Sequence, residues 1–238
     1  DETNTIEMML FDPAEDRFFR PESATYPTGT LSPYGICLGR TSDGRFHAGI
    51  TTKSGRYEQF AIQADGSELN VESVRTFSTL IQTEGCAFDD RTQTLYLAQE
   101  EGDLLKYSTK PGDSDTPIVI AEAGNYGMLA DLEGVTVYED GETGGYVLVS
   151  SQGNNSYVAF ELPSLAYAGR FRIDAGNADG VSTTDGIAVT STPTDRFPEG
   201  FLVVQDDMDE TSPSEPRKKQ NFKIVDWREI ETVLNAAD

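Results

Sequence analysis

The feature that most narrows the choice of fold is a pattern that recurs about every fifty residues. It restarts four times. The segments are YGICLGRTSDGRFHAGITTKSGRYEQFAI (34–62), EGCAFDDRTQTLYLAQEEGDLLKYS (84–108), EGVTVYEDGETGGYVLVSSQGNNSYVAFEL (133–162) and DGIAVTSTPTDRFPEGFLVVQDD (185–207), the last resumed by QNFKIVDW (220–227). Each opens on a polar residue and a glycine, then runs through an apolar strand. A hairpin turn leads into a second apolar strand, a polar cluster follows, and a third strand carries aromatics. Turn pairs such as Asp43-Gly44, Asp65-Gly66, Asp140-Gly141 and Gly144-Gly145 punctuate the chain. The leading glycines, Gly35, Gly85, Gly134 and Gly186, are spaced by 50, 49 and 52 residues. A meander restarted so evenly predicts an all-β propeller, one blade per repeat; a β-sandwich has no need to restart it. Only DWREIETVLNAAD (226–238) reads as helix, with Ile230, Val233 and Leu234 on one face. The reading is one propeller domain over residues 1–238, with no internal linker. MDETSPSEPRKKQ (208–220) is a long polar loop, and its Arg217-Lys218-Lys219 run is a solvated stretch rather than a phosphate grip.

The blade assignment places side chains. A blade's first strand lines the central channel, so Tyr34, Glu84, Glu133 and Asp185 stand at the channel mouth. The second strands end near the same mouth, at Lys53, Glu100, Gln152 and Gln205-Asp206. Carboxylates and amides from separate blades are thereby gathered at one place. Converging carboxylates raise one another's pKa, and a cation relieves them. Calcium suits an all-oxygen set of irregular geometry. Zinc or iron would call for His or Cys, of which the chain has one and two. The segment DAGNADGVSTTDG (174–186) adds Asp179 and Asp185 on a Gly-rich loop but lacks the spacing of an EF-hand.

Other classes of function fall away. With 41 acidic and 18 basic residues, a net charge of −23, the chain is too acidic to meet nucleic-acid phosphates or an anionic membrane. No apolar run approaches the ~20 residues of a membrane span. The opening DETNTIEMML lacks a basic signal region and a leading Met, so any targeting segment is expected to have been removed or to lie outside this sequence. The lone histidine, His47, sits in a strand-like stretch, which disfavours Ser-His-Asp chemistry. Cys37 and Cys86 match no metal spacing, and each lies in a short apolar run. Two buried free thiols are expected, ahead of a disulfide or a nucleophile.

The strings TEGCAFDD, LYLAQEE, DLEGVTVY, SSQGNNSY, DGVSTTDGI, FLVVQDD and QNFKIVDW, in this order, resemble the β-propeller phytases, from NTIEMM (4–9) to the final helix. The resemblance implies a six-bladed propeller, of which four to five blades lie here, with a short C-terminal helix. It implies calcium-dependent hydrolysis of phytate or another phosphorylated small molecule by a secreted or periplasmic protein. By the same resemblance Glu84, Glu100, Asp131, Glu133, Gln152, Asp179 and Asp185 would hold Ca²⁺. Tyr34 and Lys53 would face substrate phosphates, and Glu84, Glu100, Glu133 and Asp185 would be catalytic. The sequence departs from the family at Thr183 and Gln99, where acidic residues are usual. The family's first portion has no counterpart here, so an additional segment or a second copy is expected to complete the propeller. The alternatives are a non-catalytic, calcium-stabilised propeller that binds a partner, and a calcium-dependent lactonase or esterase.

Overall fold

The computed structural model describes residues 4–29, 32–66, 68–176, 178–209 and 220–236. The basic run at residues 217–219 lies outside them. Strands dominate, and every pairing is antiparallel. Near the start, β1 (Thr5–Glu7) pairs with β4 (Thr25–Pro27), and β2 (Leu10–Asp12) pairs with β3 (Arg17–Phe19). Three four-stranded meanders follow. The first blade is β5 (Pro33–Arg40), β6 (Phe46–Thr52), β7 (Arg56–Asp65) and β8 (Glu68–Ser78). The second is β9 (Thr83–Asp89), β10 (Thr94–Gln99), β11 (Leu104–Ser108) and β12 (Ile118–Ala121). The third is β13 (Leu132–Asp140), β14 (Gly144–Ser151), β15 (Ser156–Leu162) and β16 (Tyr167–Phe171). The fourth has three strands among the described residues: β17 (Ile187–Thr190), β18 (Phe201–Asp206) and β19 (Asn221–Asp226). Helix α1 (Trp227–Asn235) closes the series.

The sheets stack because each strand alternates side chains between two buried faces. In β10, Leu95 and Leu97 pack toward the first blade while Tyr96 and Ala98 pack toward the third. In β14, Val147 and Val149 face the second blade and Leu148 faces the fourth. The innermost strands β5, β9, β13 and β17 adjoin in sequence and wall one cavity of about 460 Å³, the channel. The repeat glycines mark where the blades touch. A Cβ on Gly35 would meet the Glu84 carbonyl oxygen at 1.9 Å, one on Gly85 the Glu133 carbonyl at 2.1 Å, and one on Gly134 the Asp185 carbonyl at 2.8 Å. Backbone lies against backbone at each junction, and only glycine fits.

Two expectations are corrected. Cys37 and Cys86 are joined in a disulfide, with Cα atoms 5.5 Å apart, and are not free thiols. Their separation of 49 residues is one repeat, which puts them side by side on the neighbouring strands β5 and β9. On α1, Trp227, Ile230 and Leu234 form the buried face, whereas Val233 is exposed. Asp226 caps the helix, its side chain accepting from the Arg228 N–H.

Candidate metal centre

The strand register sets the mouth. Pro33 pairs with Thr52, Thr83 with Gln99 and Leu132 with Ser151, so first strands begin where second strands end. Glu84 and Glu133 are thereby carried on β9 and β13, and Glu100 follows the end of β10. Each of these three glutamates offers a carboxylate oxygen within 4.8 Å of the other two. Glu133 is buried, and its Oε2 has no hydrogen-bond partner. Burial pushes its carboxyl up to about 9, and the hydrogen bond and charge of Glu84, then the charges of Glu100 and Asp185, push the same way. Among the described residues no ion pair reaches Glu84, Glu100 or Glu133.

Asp185 adjoins it. Burial and the Glu84 charge raise its pKa against the lowering effect of a hydrogen bond from the Gln152 amide. Gln152 also binds through its backbone, its N–H donating to the Asp131 carbonyl at 2.8 Å. Tyr34, at the start of β5, is hydrogen-bonded to Glu84 and Glu100. Burial, then those two carboxylates, raise its hydroxyl far above the usual phenol range, so it stays a donor. The exposed Lys53 holds its Nζ 4.4 Å from the centroid of the Tyr34 ring.

Asp179 is engaged differently from the other expected ligands. Its Oδ1 accepts from Lys223 Nζ at 2.5 Å, and the same ammonium lies 3.1 Å from Asp206 Oδ2. Burial alone would raise Asp206. The Ser182 N–H, Lys223 and Asn221 outweigh it and hold the carboxyl below its usual range. Lys223 is the cation of this second acidic group. Gln99 does not face the glutamates either: it is buried, donating to the Thr79 carbonyl and accepting from the Asp103 N–H at 3.1 Å. His47 is buried near the start of β6, paired with Gly39, its Nδ1 2.8 Å from the Gln59 amide nitrogen.

Sequence reasoning missed the groups that hold the ligands. Gln82 donates to Glu100 Oε1 at 2.5 Å. Thr51 Oγ1 accepts from the Gly35 N–H at 3.0 Å and donates to the Glu84 carbonyl at 2.8 Å. Ser150 repeats this two blades on, accepting from Gly134 at 2.8 Å and donating to Asp185 at 3.0 Å. Thr51 and Ser150 each precede a candidate site residue, Lys53 and Gln152, by two positions, a signal the repeat alignment contained.

Stacked antiparallel sheets around a channel with a carboxylate-rimmed mouth define a β-propeller with an acidic site at one end. The chain belongs to the Phytase family, which it matches over residues 1–238. It is 35% identical over 235 residues to the 3-phytase of Bacillus subtilis (strain 168), a match covering 95% of this chain and 61% of that protein. The chain thus spans about three-fifths of the length of this relative. A chain in the crystal structure of the mitotic checkpoint complex shares the fold alone, with a TM-score of 0.50 at 10% identity over 92% of this chain and 59% of that one.

Proposed function

We propose that this chain carries the site of a calcium-dependent phosphatase that releases phosphate from phytate or another phosphorylated small molecule. The observation that carries this reading is the convergence of Glu84, Glu100 and Glu133, with no ion pair to them among the described residues, beside Tyr34, whose ring carries the exposed Lys53. The donor set fits Ca²⁺: it is oxygen only, and it includes a buried carboxylate oxygen with no partner. Asp131, Gln152 and Asp185 adjoin as further ligands. Asp179 joins them only by releasing Lys223. Bound calcium supplies positive charge against phosphate oxygens and acidifies bound water. The chain's own residues bind and orient. Lys53 takes a substrate phosphate, and Tyr34 fixes Glu84 and Glu100 through its hydroxyl. In this reading Glu84, Glu100, Glu133 and Asp185 are the catalytic carboxylates, which would hold the metal and orient the attacking water.

Further blades of the same repeat complete the ring in this reading. Three junction glycines press on the next blade's carbonyl, whereas a Cβ on Gly186 meets nothing within 4 Å. Ser150, opposite Gly134, donates to the carbonyl of the residue that opens the following blade, while Nε2 of Gln205, opposite Gly186 in the fourth blade, is buried without a partner. Phe222 and Ile224 of β19 are 72% and 57% exposed, as for a face awaiting its neighbour. The Cys37–Cys86 disulfide supports a secreted or periplasmic location, since cytosolic thiols are kept reduced. Among the described residues no helix is long and apolar enough to cross a membrane.

Phosphate release from phytate, measured in calcium and in EDTA, tests the reading. Release in calcium that EDTA abolishes is the expected result. A chain that calcium stabilises but that releases no phosphate, alone or with the remaining portion of the Bacillus relative added, would favour the calcium-stabilised binding propeller.

A further inference from the structure

We propose that the Cys37–Cys86 disulfide is a positioning element of the site, holding Tyr34 and Lys53 of the first blade in register with Glu84 and Glu100 of the second. The proposal rests on the phosphatase reading above for the identity of the substrate, but not for the geometry. Cys37 lies three residues after Tyr34 on β5, and Cys86 two residues after Glu84 on β9. At a strand rise of about 3.3 Å, the covalent link sits within roughly 10 Å of the mouth. Every carboxylate of the converging group belongs to the second and third blades, whereas the phosphate-facing pair belongs to the first. Their alignment therefore depends on one junction.

That junction has the smallest apolar core of the three, and Gln59 and Arg75 of the first blade bond across it to Thr109 and Asp115, away from the mouth. Seven buried residues make its core, Cys86 among them, against twelve and eleven at the next two junctions. On the first blade's other side, Ile36 and Leu38 of β5 are 64% and 63% exposed. Without the disulfide, Tyr34 is left with the Gly35–Thr51–Glu84 hydrogen bonds and its own bonds to the two carboxylates. Both cysteines line the channel cavity, and Cys37 is only half-buried, so a small dithiol can reach the bond. Reduction transfers two electrons and two protons from the dithiol, which becomes its cyclic disulfide, and leaves Cys37 and Cys86 as thiols.

The test compares the oxidised chain, the dithiothreitol-reduced chain and the Cys37→Ala/Cys86→Ala variant. All are loaded with calcium and held well below their melting temperatures. Amide hydrogen exchange is read at residues 34–35 and 84–85, with the junction of the third and fourth blades as internal control. Exchange at those four residues is expected to quicken at least tenfold on reduction, the control staying unchanged. KM for phytate is expected to rise about tenfold, with kcat changing less than twofold. Loss of thermal stability with exchange at the mouth and KM both unmoved would show a merely structural bond and overturn the proposal. If the double variant does not fold, the reduced wild-type chain decides the matter by the same exchange measurement. An oxidised chain that cleaves no phytate, yet shows the exchange response, would sink the substrate assignment and leave the positioning role standing.

Discussion

Replacing Gly85 and Gly186 by alanine, one at a time, tests whether the fifty-residue repeat is a packing rule. The two glycines hold matching places in their blades, and neither has a left-handed φ, so backbone strain does not separate them. Surroundings do. At Gly85 the new Cβ would sit 2.1 Å from the Glu133 carbonyl oxygen, 3.0 Å from the Val135 nitrogen and 3.1 Å from the Ala98 Cβ. Ordinary contact begins near 3.4 Å, and the closest neighbour is backbone that cannot rotate away. The second and third blades must part by roughly 1 Å, an overpacking that costs about 1–3 kcal/mol. For a chain of this length each kcal/mol lowers Tm by about 2–4 °C, giving a fall of roughly 2–12 °C. At Gly186 nothing lies within 4 Å, and the alanine is expected to change stability by no more than about 0.5 kcal/mol in this chain. Thermal unfolding followed by circular dichroism reads both variants. A Gly85→Ala chain that melts with the wild type, or a Gly186→Ala chain that loses as much, would refute the junction argument. Glu133 moves with its carbonyl, so Gly85→Ala should also shrink the stabilisation conferred by calcium.

Calcium itself is expected to raise Tm, because a ligand bound only by the folded state adds about 2.7 kcal/mol at a hundred times its Kd. Glu133→Gln should abolish most of that rise in a calcium titration followed by melting, and an undiminished rise would exclude Glu133 as a ligand. In EDTA the sign with pH follows from the raised carboxyl of Glu133, near 9 when folded against 4.5 ordinarily. Between those values the folded chain keeps a proton that the unfolded chain has released, so stability falls as pH rises from about 5 to 9. Glu133→Gln should flatten that slope, as measured by denaturant melts at several pH values. Lys223→Met leaves the wholly buried Asp206 and the neighbouring Asp179 without their shared ammonium, a loss of about 3–5 kcal/mol in urea unfolding. Recovery of that loss on adding calcium would show that a divalent ion can take the place of the ammonium.

The fold was legible because blade packing leaves a mark that local pattern detects. Gly35, Gly85 and Gly134 recur since each meets a neighbour's carbonyl, and the polar residues beside them recur since they share one end of the channel. The carboxylate group was legible for the same reason: Glu84, Glu100 and Glu133 occupy repeat positions. What a repeat cannot announce is a partner chosen by long side chains. Asp179 reads as a ligand by its Gly-rich loop, but Lys223, 44 residues on, reaches it from β19. Gln99 reads as a weakened ligand by its neighbour Glu100, yet strand alternation turns it away, onto Thr79. The disulfide is the instructive error. Burial and the absence of a metal spacing argued for free thiols, and both arguments are local. The 49-residue separation is a statement about neighbouring blades, and it carried the pairing all along. In a repeat architecture the offset between two residues, taken modulo the period, is the better guide to contact. By that rule Gln205, which stands opposite Gly186 as Ser150 stands opposite Gly134, is on the proposal of further blades half of a contact whose other half opens the next blade, as Ser150 bonds to Asp185.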